Sequence, residues 1–389
     1  NITNVRGISC WGAHSGVKSM RRDLGIIFSE IPAAAAAVFT QNEVVAEPIK
    51  ISREKIQSGK AQAIVINAGN ANACTGQQGY DGAQAMVKAM AEELNIKEEL
   101  VLVASTGLIG EPFPTKEIVK GIHENVRKLT DKSSAGSFLA NAILTTDTFA
   151  KEGYLEYNNE GIEIRMGGVA KGSGMIHPNM GTMLAFIATD ISITPELLDK
   201  AIRYGVARSF NMITVDGDTS TNDMCAVLAN GMAENPLIEN GNDPAYLEFR
   251  EKLTELMIHL AKLIVSDGEG ASKFIEYNVI NTSTEEVGRK IARKISDSDL
   301  VKAAMYGRDP NWGRIVCAAG NAGVPFDYTQ CDLYLGSEDK KVKVLEKGKP
   351  QEYDSYYMKK ILRESHVFVT LDMNNGNEKA TAWGADLTT

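Results

Sequence analysis

Short apolar strand patterns alternate with amphipathic helix patterns along this whole 389-residue chain, with no clean linker, low-complexity tail or fixed-period repeat. A chain this long exceeds one small core, so the alternation predicts two domains or one large α/β unit of helices layered on sheet. Residues 63–67 read as a buried strand running into the small-residue loop AGNANACTG, and 83–94 as a helix of strong helix formers. Residues 100–105 read as a strand that stops at Thr106-Gly107. Pro112 and Pro114 open a helix with an apolar face of Ile118, Ile122, Val126 and Leu129. Thr194-Pro195-Glu196 and Asp243-Pro244 mark further helix starts. Ser283 and Glu286 have capping-box spacing, and residues 366–372 and 381–388 read as a hairpin around Asn374-Asn375-Gly376. The alanine run 33–37 suits tight packing.

Composition removes several functions. The formal net charge is −9 and no long basic run occurs, which argues against nucleic acid as a main partner. The five cysteines, Cys10, Cys74, Cys225, Cys317 and Cys331, are scattered without a CxxC pair. They read as buried free thiols of a reducing compartment, and the scattered histidines leave no metal centre to expect. The N-terminal stretch NITNVRGISCWGAHSG lacks a signal pattern, and no apolar run approaches a membrane span, so a cytoplasmic location is expected.

The chemistry concentrates near KGSGMIHPNMGTMLAFIATD, residues 171–190, where a glycine-rich turn runs into a strand that only a core could hold. A threonine at such a position is ordinarily a β-branched strand former. Thr182 has a second reading, as an N-terminal nucleophile whose own α-amine serves as base once the preceding bond is cut. The hydroxyl can make that cut by attacking the preceding carbonyl, and the small Gly181 suits the tight turn this needs. Thr106 and Gly107 read either as a turn closing a strand or as an oxyanion hole. Gly167 to Gly174 departs from the phosphate-loop pattern, because Lys171 precedes the glycine-serine; Lys171 suits a carboxylate or developing charge instead. Asp216 to Asp223 fails the EF-hand pattern at Thr221 and Val227 and reads as a polar turn near the site. His177 is a rival base, though a lone histidine is more often structural.

Taken together, these stretches resemble the ornithine acetyltransferase family, also called glutamate N-acetyltransferase, of arginine biosynthesis. The resemblance rests on AKGSGMIHPNMGTMLAFIATD, NAGNANACTG at 67–76, STGLIGEP at 105–112 and AILTTDT at 142–148. It continues in SFNMITVDGDTSTND at 209–223, SDGEGASKFIE at 266–276 and GRDPNWGRI at 307–315. It implies a layered αββα-type α/β sandwich, similar to N-terminal-nucleophile hydrolases with different connectivity. It implies self-cleavage between Gly181 and Thr182 into an α fragment (1–181) and a β fragment (182–389), associated as a heterotetramer of two α and two β. It implies ping-pong acetyl transfer from N2-acetyl-L-ornithine to L-glutamate through acetyl-Thr182. Thr106 and Gly107 carry over as the oxyanion hole, and Thr145, Lys171, Thr182 and Glu269 as substrate contacts. No cofactor or metal is expected; acetyl-CoA is a further donor in some members.

Two departures stand out. Most relatives have alanine before the nucleophile, where this chain has Gly181. The family also runs on past Leu387 into a tail that brings an Asn and a terminal Thr to the substrate site; were that tail truly absent, weaker substrate binding would be expected. The competing functions are an amidase or aminopeptidase using the same threonine, with water as acceptor, and a non-catalytic binding protein with a glycine-rich ligand loop.

Overall fold

The computed structural model describes residues 1–177 and 183–387. The chain divides into two compact units, the first comprising residues 1–172, 179–207 and 219–260, the second 173–178, 208–218 and 261–389. The α/β class holds: each unit is built on one mixed sheet.

The strands of the first unit are β1 (Ile8–Ala13), β2 (Leu24–Phe39), β3 (Lys60–Asn70), β4 (Val101–Leu108), β5 (Lys151–Asn159), β6 (Ile162–Lys171), β7 (Leu184–Thr189) and β9 (Met224–Ala229). They order β4-β3-β2-β9-β7-β6-β5, and β1 pairs with the first half of β2. The central strands β7 and β9 are buried throughout, matching their unbroken apolar sequences. The alanine run lies in β2, where Ala34 to Phe39 pair with β9. One face of the sheet carries Ile27, Ile64, Ile66, Leu102, Leu184 and Met224 in a single cluster with Leu139. The other face, at the β2–β4 end, packs Val65, Val101 and Val103 against Met86, Met90, Ile118 and Ile122.

Those apolar side chains come from α2 (Gly76–Leu94) and α3 (Thr115–Asn125), which follow α1 (Glu47–Lys55) and precede α4 (Ser133–Ala142) and α5 (Pro195–Arg208). Helix α2 begins seven residues before the expected start, because Gly79 and Gly82 hide its helical pattern. Strand β4 runs through Thr106 and Gly107 to Leu108 and does not stop at them. Thr194 and Asp243 cap the helices they precede, accepting from the Leu197 and Ala245 amides. Helix α6 (Pro244–Ser266) lays Leu256 and Leu260 over Gly153 and Gly168.

The second sheet orders β13-β12-β11-β14-β10-β15-β8. Its strands are β8 (Ile213–Thr214), β10 (Phe274–Thr282), β11 (Asp332–Ser337), β12 (Lys340–Glu346), β13 (Lys349–Pro350), β14 (His366–Asp372) and β15 (Glu378–Ala385). The expected hairpin is absent: β10 lies between β14 and β15, parallel to one and antiparallel to the other. The turn at 374–376 crosses over β10, a strand drawn from far earlier in the chain, which no local signal records. Helix α7 (Glu285–Ser296) is capped by Thr284, which accepts from the Val287 amide, so the capping residue is one position beyond Ser283. Helices α8 (Asp299–Tyr306), α9 (Trp312–Gly320) and α10 (Ser355–Ile361) complete the unit. Cys10, Cys225 and Cys331 are buried free thiols, whereas Cys74 and Cys317 are exposed. No described helix is long and apolar enough to cross a membrane.

Candidate active site

Parallel pairing of β3 with β4 places Asn67 beside Ser105, Ala68 beside Thr106 and Gly69 beside Gly107. The two small-residue motifs of the sequence therefore meet at the strand ends. At Gly107 φ is +137°, and a Cβ there would lie 2.3 Å from the Gly69 carbonyl carbon, so glycine is required. The bend is locked from behind. Ser105 Oγ donates to Asn67 Oδ1, and Asn67 Nδ2 donates to the Asn70 carbonyl at 2.9 Å. Asn222 Nδ2 donates to the carbonyls of Ala71 and, at 2.8 Å, Ser105. Thr106 is buried and Gly107 is exposed, so the edge of this bend is reachable while its support is not.

Lys171 ends β6 and is buried. Its ammonium donates to Thr145 Oγ1 at 2.8 Å and to Thr106 Oγ1 at 3.4 Å, with Asp147 Oδ2 at 3.8 Å. Three of the residues singled out by sequence thus converge. A lysine donating to a threonine oxygen leaves that threonine's own hydroxyl hydrogen free to donate elsewhere. Burial lowers the Lys171 pKa, and the Asp147 carboxylate opposes the shift.

Asp147 is the residue that sequence reasoning missed, although AILTTDT contains it. It accepts from Lys151 Nζ at 2.7 Å, from the Gly172 amide at 2.7 Å and from the Thr145 amide at 3.0 Å. Lys151 is itself fully buried. Burial raises the Asp147 pKa, but the Lys171 and Lys151 ammoniums overcome it and hold the carboxyl down at about 2. One carboxylate thus fixes the loop carrying Thr145, the turn after β6 and two lysines. Lys18 braces the same loop, donating to the Leu144 carbonyl at 2.6 Å.

Gly167 and Gly168 lie inside β6, paired with Tyr154 and Gly153, so they form no phosphate loop. The Asp216–Asp223 run is divided between the units after Asp218. Asp216 accepts from the Met175 amide and, at 2.8 Å, from the Ile176 amide, acting as a backbone anchor. Among the described residues no group of three His, Cys, Asp or Glu side chains could hold a metal ion. In the second unit, His177 Nδ1 lies 3.2 Å from Thr214 Oγ1 and 3.2 Å from Asp297 Oδ1, and Arg293 donates to its Nε2 at 3.2 Å. Burial and the Arg293 charge lower its pKa, so it is a held, neutral imidazole. Glu269, also in the second unit, is exposed. Its amide donates to the Ser173 carbonyl at 2.9 Å, and a Cβ at Gly174 would sit 2.3 Å from its Oε2. Gly181 and Thr182 lie outside the described residues.

The ArgJ family profile matches residues 9–389. This chain belongs to the ArgJ family. The arginine biosynthesis bifunctional protein ArgJ of Caldanaerobacter subterraneus subsp. tengcongensis is 49% identical over 98% of this chain and 94% of its own length. The protein of that name from Listeria monocytogenes serotype 4b is 46% identical over 100% of this chain and 95% of its own. A crystal structure of an ornithine acetyltransferase from Mycobacterium tuberculosis, complexed with ornithine, is 30% identical over 46% of this chain and 94% of that one, with a TM-score of 0.40.

Proposed function

We propose that this ArgJ family member transfers an acetyl group from N2-acetyl-L-ornithine to L-glutamate by a ping-pong route through acetyl-Thr182. The convergence of Thr106 and Thr145 on the buried Lys171 ammonium carries this reading. Thr106, with its oxygen engaged by Lys171, offers its hydroxyl hydrogen to the tetrahedral oxyanion beside the Gly107 amide. Lys171 and Thr145 take the substrate α-carboxylate, and Glu269 takes the ornithine side-chain ammonium. The α-amine of Thr182 receives the hydroxyl proton and returns it to the departing amine.

Self-cleavage between Gly181 and Thr182 supplies that amine and leaves fragments 1–181 and 182–389. Sheet topology supports their staying together. β6, from the first fragment, pairs over six residues with β7 from the second, and β7 also pairs with β9. The assembly proposed is two α with two β fragments, in the cytoplasm, without a cofactor. Acetyl-CoA as a second donor is tested by adding it with glutamate and measuring free CoA.

The deciding experiment is the mass of the denatured protein with N-terminal sequencing, followed by an acetyl-ornithine assay with and without glutamate. Two fragments, one starting at Thr182, and turnover that needs glutamate are the expected result. Turnover without glutamate would establish a hydrolase on the same threonine. An intact chain that transfers acetyl groups would refute the mechanism.

A further inference from the structure

Helix α4 ends at Ala142, and like any helix it leaves its last carbonyls without an intrahelical donor. The Lys18 ammonium lies against this end. It donates to the Leu144 carbonyl at 2.6 Å and the Arg22 carbonyl at 3.0 Å, with the Ala142 carbonyl at 3.5 Å. A lysine suits a helix C-terminus, where its charge meets the negative end of the dipole. Its three N–H donors are matched by three backbone oxygens, so its work is to hold the chain and not to touch a ligand.

The Leu144 carbonyl belongs to the same peptide unit as the Thr145 amide, and that amide donates to Asp147 Oδ2 at 3.0 Å. A peptide unit is planar, so holding its oxygen and its nitrogen together fixes the plane, and with it the Thr145 Cα. Lys18 takes one end and Asp147 the other.

A short loop folded around one carboxylate delivers Lys18. Asp23 is fully buried; its Oδ1 accepts from the Ser15 amide and hydroxyl, and its Oδ2 from the Gly16 and Lys18 amides at 3.2 and 2.9 Å. The Asp23 carbonyl accepts from the Ala68 amide at 2.8 Å, which ties the loop to β3. The Lys18 stem then crosses Gly69, where a Cβ would lie 3.2 Å from its Cγ. Gly69 has a φ of +119° and is in register with Gly107. The side chain therefore runs from the strand ends bearing Thr106 and Gly107 to the loop bearing Thr145.

We propose that Lys18 is a positioning residue of the acetyl-transfer site, a strut that fixes the Thr145 hydroxyl relative to the Thr106–Gly107 bend. The proposal rests on the reading of Thr145 as a contact of the substrate α-carboxylate. A peptide held only by Asp147 can tilt, which moves the Thr145 hydroxyl away from the Lys171 ammonium, its partner at 2.8 Å. Both substrates present an α-carboxylate there, so both bind less well. The bend keeps its own lock of Asn67, Ser105 and Asn222, so the chemical step is left largely intact.

The test is steady-state kinetics on the mature enzyme carrying Lys18→Met, Thr145→Val or both, each shown folded by circular dichroism. Lys18→Met is expected to raise KM for acetyl-ornithine and for glutamate about tenfold, the scale of one charged hydrogen bond. kcat should change by less than about threefold, the pattern of lost uniform binding. Thr145→Val should raise both KM values too, and adding Lys18→Met to it should raise neither further, because the strut acts through that hydroxyl. A merely structural lysine would lower the active fraction, and so kcat, and leave KM alone. That result, or a full further rise in KM on top of Thr145→Val, would overturn the strut. If Thr145→Val leaves both KM values unchanged, the carboxylate reading of Thr145 fails and the strut fails with it. If Thr145→Val raises KM and Lys18→Met does not, the strut alone fails. Should Lys18→Met not fold, Lys18→Gln, which keeps N–H donors on a shorter side chain, decides by the same split.

Discussion

Asp147 and Asp223 are both buried carboxyls of the first unit, and both feel Lys171, yet their pKa values are pushed in opposite directions. Asp147 has Lys151 at 2.7 Å, Lys171 at 3.8 Å and two backbone amides, so ionisation is favoured. Asp223 has one opposing cation and, among the described residues, one oxygen without a partner, so burial prevails and raises its pKa. Burial is common to both; what differs is the number of donors around each carboxyl. The contrast teaches that one sheet can hold a carboxyl fixed as the anion that anchors lysines and another that burial pushes toward its acid form.

The largest effect that could break this contrast is on stability. Asp147→Asn leaves two buried ammoniums without their anion, and breaking such a pair costs about 3–5 kcal/mol. Urea denaturation of the mature protein should show that loss. A change within error would mean that Asp147 does not hold the cluster together.

Lys171 reads the same contrast from the ligand's side. Lys171→Met removes a charged hydrogen bond worth about 1.5–3 kcal/mol, so KM for both acetyl-ornithine and glutamate should rise roughly 10- to 100-fold. Steady-state kinetics on the mature enzyme check this, and an unchanged KM for both substrates would remove Lys171 from the carboxylate site.

The first two effects also mark what the sequence could reveal. Thr106, Thr145 and Lys171 are legible because each sits in a distinctive stretch, and the structure brings all three together. Asp147 lies within one of those stretches, but its importance depends on Lys151 and on the Gly172 amide, which only β5–β6 pairing brings near. Asp223 reads as one acid in a polar turn; its burial comes from β9 pairing with β7 and β2. The helices announced by Thr194 and Asp243 appear where expected, because caps are local. The 366–388 hairpin fails, because insertion of β10 between its strands is a long-range event.

Acid titration gives a smaller effect of known sign. A folded pKa of about 2 against an ordinary 3.8 means that Asp147 stabilises the protein above its unfolded pKa. That contribution, about 2 kcal/mol by the rule of 1.36 kcal/mol per unit, is lost as pH falls from about 4 through about 2. Asp147→Asn should lack this part of the acid limb, in urea midpoints measured across that range. If both proteins lose stability in parallel, other carboxylates dominate the acid transition.

The smallest expected effect sharpens the comparison most. Asparagine matches a neutral carboxylic acid in shape and keeps a carbonyl oxygen to accept from the Met183 amide. Asp223→Asn should therefore change stability at pH 6 by less than about 1 kcal/mol, the scale of one neutral hydrogen bond. Raising the pH should then separate the two proteins. A carboxyl whose folded pKa is raised favours folding below its unfolded pKa and loses that contribution as pH climbs through the folded value. Wild type should weaken relative to Asp223→Asn on the alkaline side, the mirror image of what Asp147 does in acid. If Asp223→Asn instead costs as much as Asp147→Asn at pH 6, Asp223 is an anion with an ionic partner. The same sheet would then hold two carboxylates, and the contrast between them would vanish.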